Sequence, residues 1–174
     1  MFSDPQKNVE SFELEPEMIV ADLGAGSGFY AINSAKAVKL GKVYAVDIQK
    51  ELLERVKNMA VKEQLDNVEL VWGDIEEAGG SKLEDGSVDA VIIANTLFQV
   101  ENKKSLIDEA KRILKTKGKL LLVDWLDSYG GLGPKQSDIV GVQDAEDMFT
   151  AEGFKLERDI SAGEHHYGLV FRKV

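Results

Sequence analysis

The sequence predicts an α/β fold, on three observations. A short apolar run, Ile19-Val20-Ala21-Asp22-Leu23, has the pattern of a buried strand. Glycines at alternate positions, Gly24, Gly26 and Gly28, follow it at once, and a helix-like segment over 29–38 follows them. Further apolar runs and amphipathic helical stretches share the rest of the chain. A strand, a glycine turn and a helix make a small-molecule site. The glycines permit positive φ and let a ligand touch backbone. The helix N-terminus adds free N–H groups and a positive dipole end.

Composition bounds the rest. The chain has 174 residues, 44% of them hydrophobic, which suits one domain over 1–174 with a sizeable core. Its net charge of −10 argues against a broad nucleic-acid surface, because that affinity comes from clustered Lys and Arg. With no cysteine, disulfides, Cys-ligated metals and Cys nucleophiles are excluded. Residues 1–7 lack a signal-peptide pattern and no apolar stretch is long enough to span a bilayer, so a cytoplasmic protein is expected.

In chain order, Asp4-Pro5 reads as a cap and first turn of a short lead-in helix within 1–16. Val9 and Phe12 face inward, and Pro16 stops the helix before the first strand. So short a lead-in predicts an open site, or one completed by a second subunit, as in a homodimer. Gly41 ends the first long helix, and 43–48 is the second strand, closing on Asp47. An acid there can accept hydrogen bonds from ribose hydroxyls, or can cap the helix expected over 49–63. The third strand, 68–75, ends in Gly73-Asp74-Ile75, whose acid suits a turn or a ligand. A loop over 77–84 precedes a fourth strand over 90–94, which runs out at Asn95. An amphipathic helix over 105–114 leads to a fifth strand ending at Asp124 and Trp125. A glycine-rich loop over 126–141 reads as a lid, followed by a helix over 144–152 and two strands, 154–160 and 165–173.

The glycine spacing discriminates between cofactors. A dinucleotide fingerprint would need glycine where Phe29 stands. The form G-x-G-x-G headed by Asp22-Leu23 instead resembles motif I of class I S-adenosylmethionine-dependent methyltransferases. Gly73-Asp74-Ile75 resembles that family's adenine motif. Asp85-Gly86-Ser87-Val88-Asp89 resembles the sequence before motif IV in methyltransferases of the ubiquinone/menaquinone-biosynthesis type. The stretch from Arg112 to Trp125 resembles the family's helix–glycine–strand segment, with Thr116-Lys117 in place of the more usual Pro-Gly.

The resemblance covers about 20–173. It implies a Rossmann-like, seven-stranded, mostly parallel sheet with an antiparallel last strand and helices on both faces. It implies transfer of the sulfonium methyl of S-adenosylmethionine to a nucleophile. Gly24, Gly26 and Gly28 would approach the methionine part. Asp22 and Asn95 would help hold its amino-acid end, Asn95 through the backbone carbonyl. Asp47 would hold the ribose, Ile48 would pack on the adenine, and Asp74 with Ile75 would bind its edge.

Three residues are candidates for the chemistry. Asp124 ends a strand at the ligand face and suits a general base, a cation-stabilising carboxylate or a turn cap. If the sixth strand runs parallel to the others, the seventh begins at the same face and brings in His165, His166 and Tyr167. The histidines suit a general base or, with Asp124, a metal site, or else edge-strand residues satisfied by hydrogen bonds. Adjacent strand residues point to opposite faces, so at most one of the pair looks into a given pocket.

A small-molecule acceptor is expected. The (Asn/Asp)-Pro-Pro-(Tyr/Phe) motif of base N-methylating enzymes is missing at 95–98, and lack of cysteine disfavours cytosine C5 and arsenite methylation. A protein or ribosomal acceptor, a non-catalytic scaffold and an NAD-dependent oxidoreductase stand as other readings.

Overall fold

The computed structural model describes residues 3–174. Met1 and Phe2, which the signal-peptide reading includes, lie outside the described residues. The order is α1 (Pro5–Phe12), β1 (Ile19–Leu23), α2 (Phe29–Ala37), β2 (Lys42–Asp47), α3 (Lys50–Lys62), β3 (Val68–Trp72), β4 (Val88–Ala94), α4 (Lys103–Ile113), β5 (Leu114–Trp125), α5 (Val142–Ala151), β6 (Phe154–Ile160) and β7 (His166–Lys173). The strands form one sheet in the order β3-β2-β1-β4-β5-β7-β6. The first five pair in parallel, and β7 lies antiparallel between β5 and β6. Strand β6 therefore runs parallel to β5, and β7 starts at the carboxyl end of the sheet. Strand order reverses between β1 and β4, where open α/β sheets bind ligands.

Alternation along each strand divides the core in two. Ala21, Val91, Leu122 and Phe171 pack with Ile107 and Ala110 of α4 and Phe149 of α5. Val20, Ile92 and Val123 pack with Phe12 of α1, Ala31 and Ala35 of α2 and Val56 of α3. The Phe149 and Phe171 rings stack 4.9 Å apart. Among the described residues, no helix is long and apolar enough to cross a membrane.

Two local differences from the sequence reading have clear causes. Strand β5 begins directly out of α4: Val88 pairs with Leu114, then Ala90 with Lys119. The excess residues bulge out around Lys117, whose φ is +63°. The lead-in helix is locked to the sheet. Asp4 accepts from the Lys7 N–H at its start, and the buried Lys119 ammonium donates to the Phe12 and Glu13 carbonyls at its end, 2.9 and 2.5 Å.

Candidate functional site

A cavity of about 670 Å³ opens at the carboxyl ends of β1 to β4 and reaches His166 at the start of β7. Its floor is the glycine turn. The N–H groups of Gly24 and Ala25 both donate to the Val46 carbonyl, 2.9 and 3.0 Å, which ties the turn to β2. Gly24 has φ +77°, and a Cβ there would lie 2.8 Å from the Thr96 hydroxyl. Gly24 and Gly26 line the cavity, but Gly28 does not. Gly28 begins α2 at φ +87°, where a Cβ would meet Val56 Cγ2 at 2.7 Å. A side chain there would intrude on the packing of α2 against α3, so this glycine has a packing reason of its own.

Asp47 combines both roles considered for it at the level of geometry. Its Oδ1 accepts from the Gln49 N–H that leads into α3, and its Oδ2 from the Gly26 N–H, each at 2.9 Å. The carboxylate lies on the cavity wall, and its oxygens keep further lone pairs. Asp74 is similar: Oδ1 accepts from the Glu76 N–H at 2.9 Å, a turn bond, while the residue lines the cavity with Ile75. Ile48 lines the same end and is 57% exposed.

At the end of β4, Asn95 lines the cavity in the left-handed region, φ +53°. Asparagine is among the residues that adopt this conformation most readily. Its backbone carbonyl, expected to hold a ligand, accepts from Gln99 Nε2 at 2.7 Å. Its side-chain Oδ1 is buried without a partner among the described residues.

Asp22 does not line the cavity. It lies buried, with Oδ2 unpartnered among the described residues. Burial, and then the charge of Asp47, push its pKa up to about 7 against a hydrogen bond from the Ala31 N–H.

Asp124 is enclosed by backbone donors at the end of β5. It is buried, Oδ2 accepts from the Leu97 N–H and Oδ1 from the Trp125 N–H, 2.9 and 2.8 Å. It is absent from the cavity wall and fixes the turn after β4, the cap reading. Burial lifts its pKa to about 6 although these N–H groups oppose the rise. In the antiparallel register Asp124 faces Tyr167 and Trp125 faces His166. Alternation therefore puts Asp124 and His166 on opposite faces and removes the metal site they would have shared. Tyr167 likewise turns into the α4–α5 core.

The two histidines separate. His166 lines the cavity, with Nδ1 buried and unpartnered among the described residues. Burial, then the neighbouring His165, lower its pKa, with Asp127 opposing, which favours the neutral ring. His165 is off the cavity wall, and its Nδ1 lies 2.8 Å from Asp127 Oδ1.

Sequence reasoning missed the wall made by the lead-in. Ser3 and Pro5 line the cavity beside Phe29 and Tyr30. Asn8 Nδ2 donates to the Tyr30 hydroxyl at 2.8 Å and to Ser3 Oγ at 2.9 Å. The start of α1 thus covers an end of the site expected to be open or closed by a partner. The Asp4-Pro5 cap was a legible signal for the helix, but nothing local marks where it docks.

A family model described as a methyltransferase domain matches residues 14–150. A crystal structure of a SAM-dependent methyltransferase from Aquifex aeolicus superposes with a TM-score of 0.89 at 28% identity, covering 99% of this chain and 91% of that one. The ubiquinone/menaquinone biosynthesis C-methyltransferase of Hydrogenovibrio crunogenus is 26% identical over 165 residues, 87% of this chain and 64% of that protein. An arsenite methyltransferase of Halobacterium salinarum is 30% identical over 112 residues, 64% of this chain and 28% of that protein. The alignments to these and two further curated relatives span 28% to 64% of the relatives' lengths.

Proposed function

The chain belongs to the methyltransferase-domain family, whose cofactor is S-adenosylmethionine, and on that premise we propose that it transfers the sulfonium methyl of that cofactor to a small-molecule acceptor. We read 1–174 as one such domain. The observation that carries the proposal is a single cavity in which a glycine turn, two acids at strand ends and the His166 imidazole meet.

The residues present suit the cofactor. Asn95, on the cavity wall, has a buried Oδ1 without a donor among the described residues, and Asp22 adds a carboxylate behind that wall; a ligand with an ammonium and a sulfonium brings positive charge toward both. Asn95 offers two acceptors, its side-chain Oδ1 and its backbone carbonyl, which keeps a second lone pair beside the bond from Gln99. Asp47 accepts from the ribose hydroxyls and Asp74 from the adenine amino group, with Ile48 and Ile75 against the ring. Bound there, S-adenosylmethionine supplies an electrophilic methyl. The protein's part is to hold the acceptor in line with it and exclude water. His166 faces the acceptor and takes its proton.

The wall made by Ser3, Pro5 and Tyr30 favours a small acceptor over a protein one. The relatives' names point to quinones and arsenite. Arsenite is not carried over, because the relatives hold it through thiols and this chain has no cysteine. The test is calorimetric titration with S-adenosylhomocysteine, with NADH as control. Micromolar binding of the former alone is expected; binding of NADH instead would overturn the cofactor.

A further inference from the structure

His166 forms part of the cavity wall, but what holds its ring lies behind that wall. Histidines that work as bases are ordinarily oriented by a hydrogen bond to the second nitrogen. Here Nδ1 is buried without such a partner among the described residues, so packing has to orient the ring. The packing group is Trp125, directly across in the β5–β7 register. The two ring centroids are 4.2 Å apart, with the planes tilted by 41°.

Trp125 is itself held in place. Gly133, at φ +85°, lies so close that a Cβ would fall 2.7, 2.8 and 3.0 Å from three indole carbons. The segment leading to Gly133 is pinned to the strand beside it. The Leu126 N–H donates to the His165 carbonyl at 2.8 Å. The His165 ring is 2.8 Å from Asp127 Oδ1 and stacks on Tyr129 at 4.3 Å. Tyr129 and Leu132 then bridge across the Gly130-Gly131 turn. The adjacent histidines thus have different surroundings: one faces the cavity and the other fastens the loop.

We infer that Trp125, clamped by Gly133, is a positioning residue that sets the ring plane of His166 and keeps water from it, so that the imidazole meets the methyl acceptor in one orientation. This rests on the reading of His166 as the group that faces the acceptor. The titratable groups acting on His166 are His165 on its own strand and Asp127 on the loop.

The chain has two histidines, so proton NMR resolves both titrations without an identified acceptor, with His165→Asn assigning the signals. His166 should titrate below the ordinary histidine value. Trp125→Ala should raise its midpoint by ~0.5 unit or more, because water then reaches the ring. Trp125→Phe should keep the wild-type midpoint, and Gly133→Ala, which displaces the indole, should shift it as Trp125→Ala does. Affinity for S-adenosylhomocysteine should be unchanged in all three. An unmoved midpoint in Trp125→Ala, or an equal shift in Trp125→Phe, would overturn the inference. If Trp125→Ala fails to fold, Gly133→Ala decides alone. Loss of S-adenosylhomocysteine binding by the wild type would instead strike the cofactor reading, leaving the titrations to be judged separately.

Discussion

Glu109 and Asp22 are both buried carboxylates, one under the 79–81 turn and one under the glycine turn, and their wiring is opposite. Glu109 accepts from the Gly79 and Ser81 N–H groups, the Ser81 hydroxyl and the Arg112 guanidinium, at 2.6 to 3.0 Å. Burial alone would raise its pKa, but Arg112, Ser81 and the N–H groups bring it down to about 2. Asp22 has one oxygen without a donor among the described residues, and its pKa rises to about 7. A saturated buried acid holds a loop in place. An unsaturated one leaves hydrogen-bonding capacity unused and its proton more tightly held. The same contrast separates Asp124, both of whose oxygens meet N–H groups, from Asn95, whose buried Oδ1 faces none.

The contrast is open to direct attack. Glu109→Ala leaves the Gly79 and Ser81 N–H groups without their acceptor, while Arg112 keeps Asp85, and should cost ~2–4 kcal/mol in urea unfolding. A loss below ~1 kcal/mol would show that the network does not hold the loop. Asp47→Ala should weaken S-adenosylhomocysteine binding by ~1.5–3 kcal/mol in calorimetry, the scale of hydrogen bonds to a charged group. Because Asp47 also holds the Gly26 and Gln49 N–H groups, Asp47→Asn is the control that retains one acceptor. Unchanged affinity in both would remove Asp47 from the site.

Gly28→Ala should destabilise the fold by ~1–3 kcal/mol through overpacking against Val56, with cofactor affinity in the folded protein nearly unchanged. Val56→Ala should recover part of that stability. Affinity loss without stability loss would return Gly28 to the ligand.

The smallest effect is in pH dependence. Asp22 has a folded pKa above its unfolded one, so the folded state binds the extra proton between pH ~4 and ~7 and stability falls as pH rises through that window. Glu109 has a folded pKa below its unfolded one, so its contribution is present above pH ~4.5 and is lost as pH falls toward ~2. Asp22→Asn should remove a slope of at most ~1.4 kcal/mol per pH unit between pH ~5 and ~7 in thermal melts. Bound S-adenosylhomocysteine, whose ammonium favours the carboxylate, should flatten the same slope in the wild type.

Much of this molecule is local in origin. Each strand of the parallel sheet is an apolar run, the glycine turn is visible as alternate glycines, and Asp47 and Asp74 stand where strands end. Such features follow from backbone sterics and side-chain alternation, which short windows of sequence report directly. Strand alternation separates His165 from His166 in the sequence; in the structure His165 lies in the turn just before β7, beside Asp127 and Tyr129.

Partner choice is not local, and there the tertiary structure decided. The third glycine serves a neighbouring helix, which no motif reveals. Asp124 meets the Leu97 N–H rather than the cavity because the turn after β4 folds back over β5. The lead-in walls one end of the site because Asn8 and Ser3 find Tyr30, far along the chain. Sequence places donors and acceptors on elements; which buried group goes unsatisfied is fixed only when the elements pack.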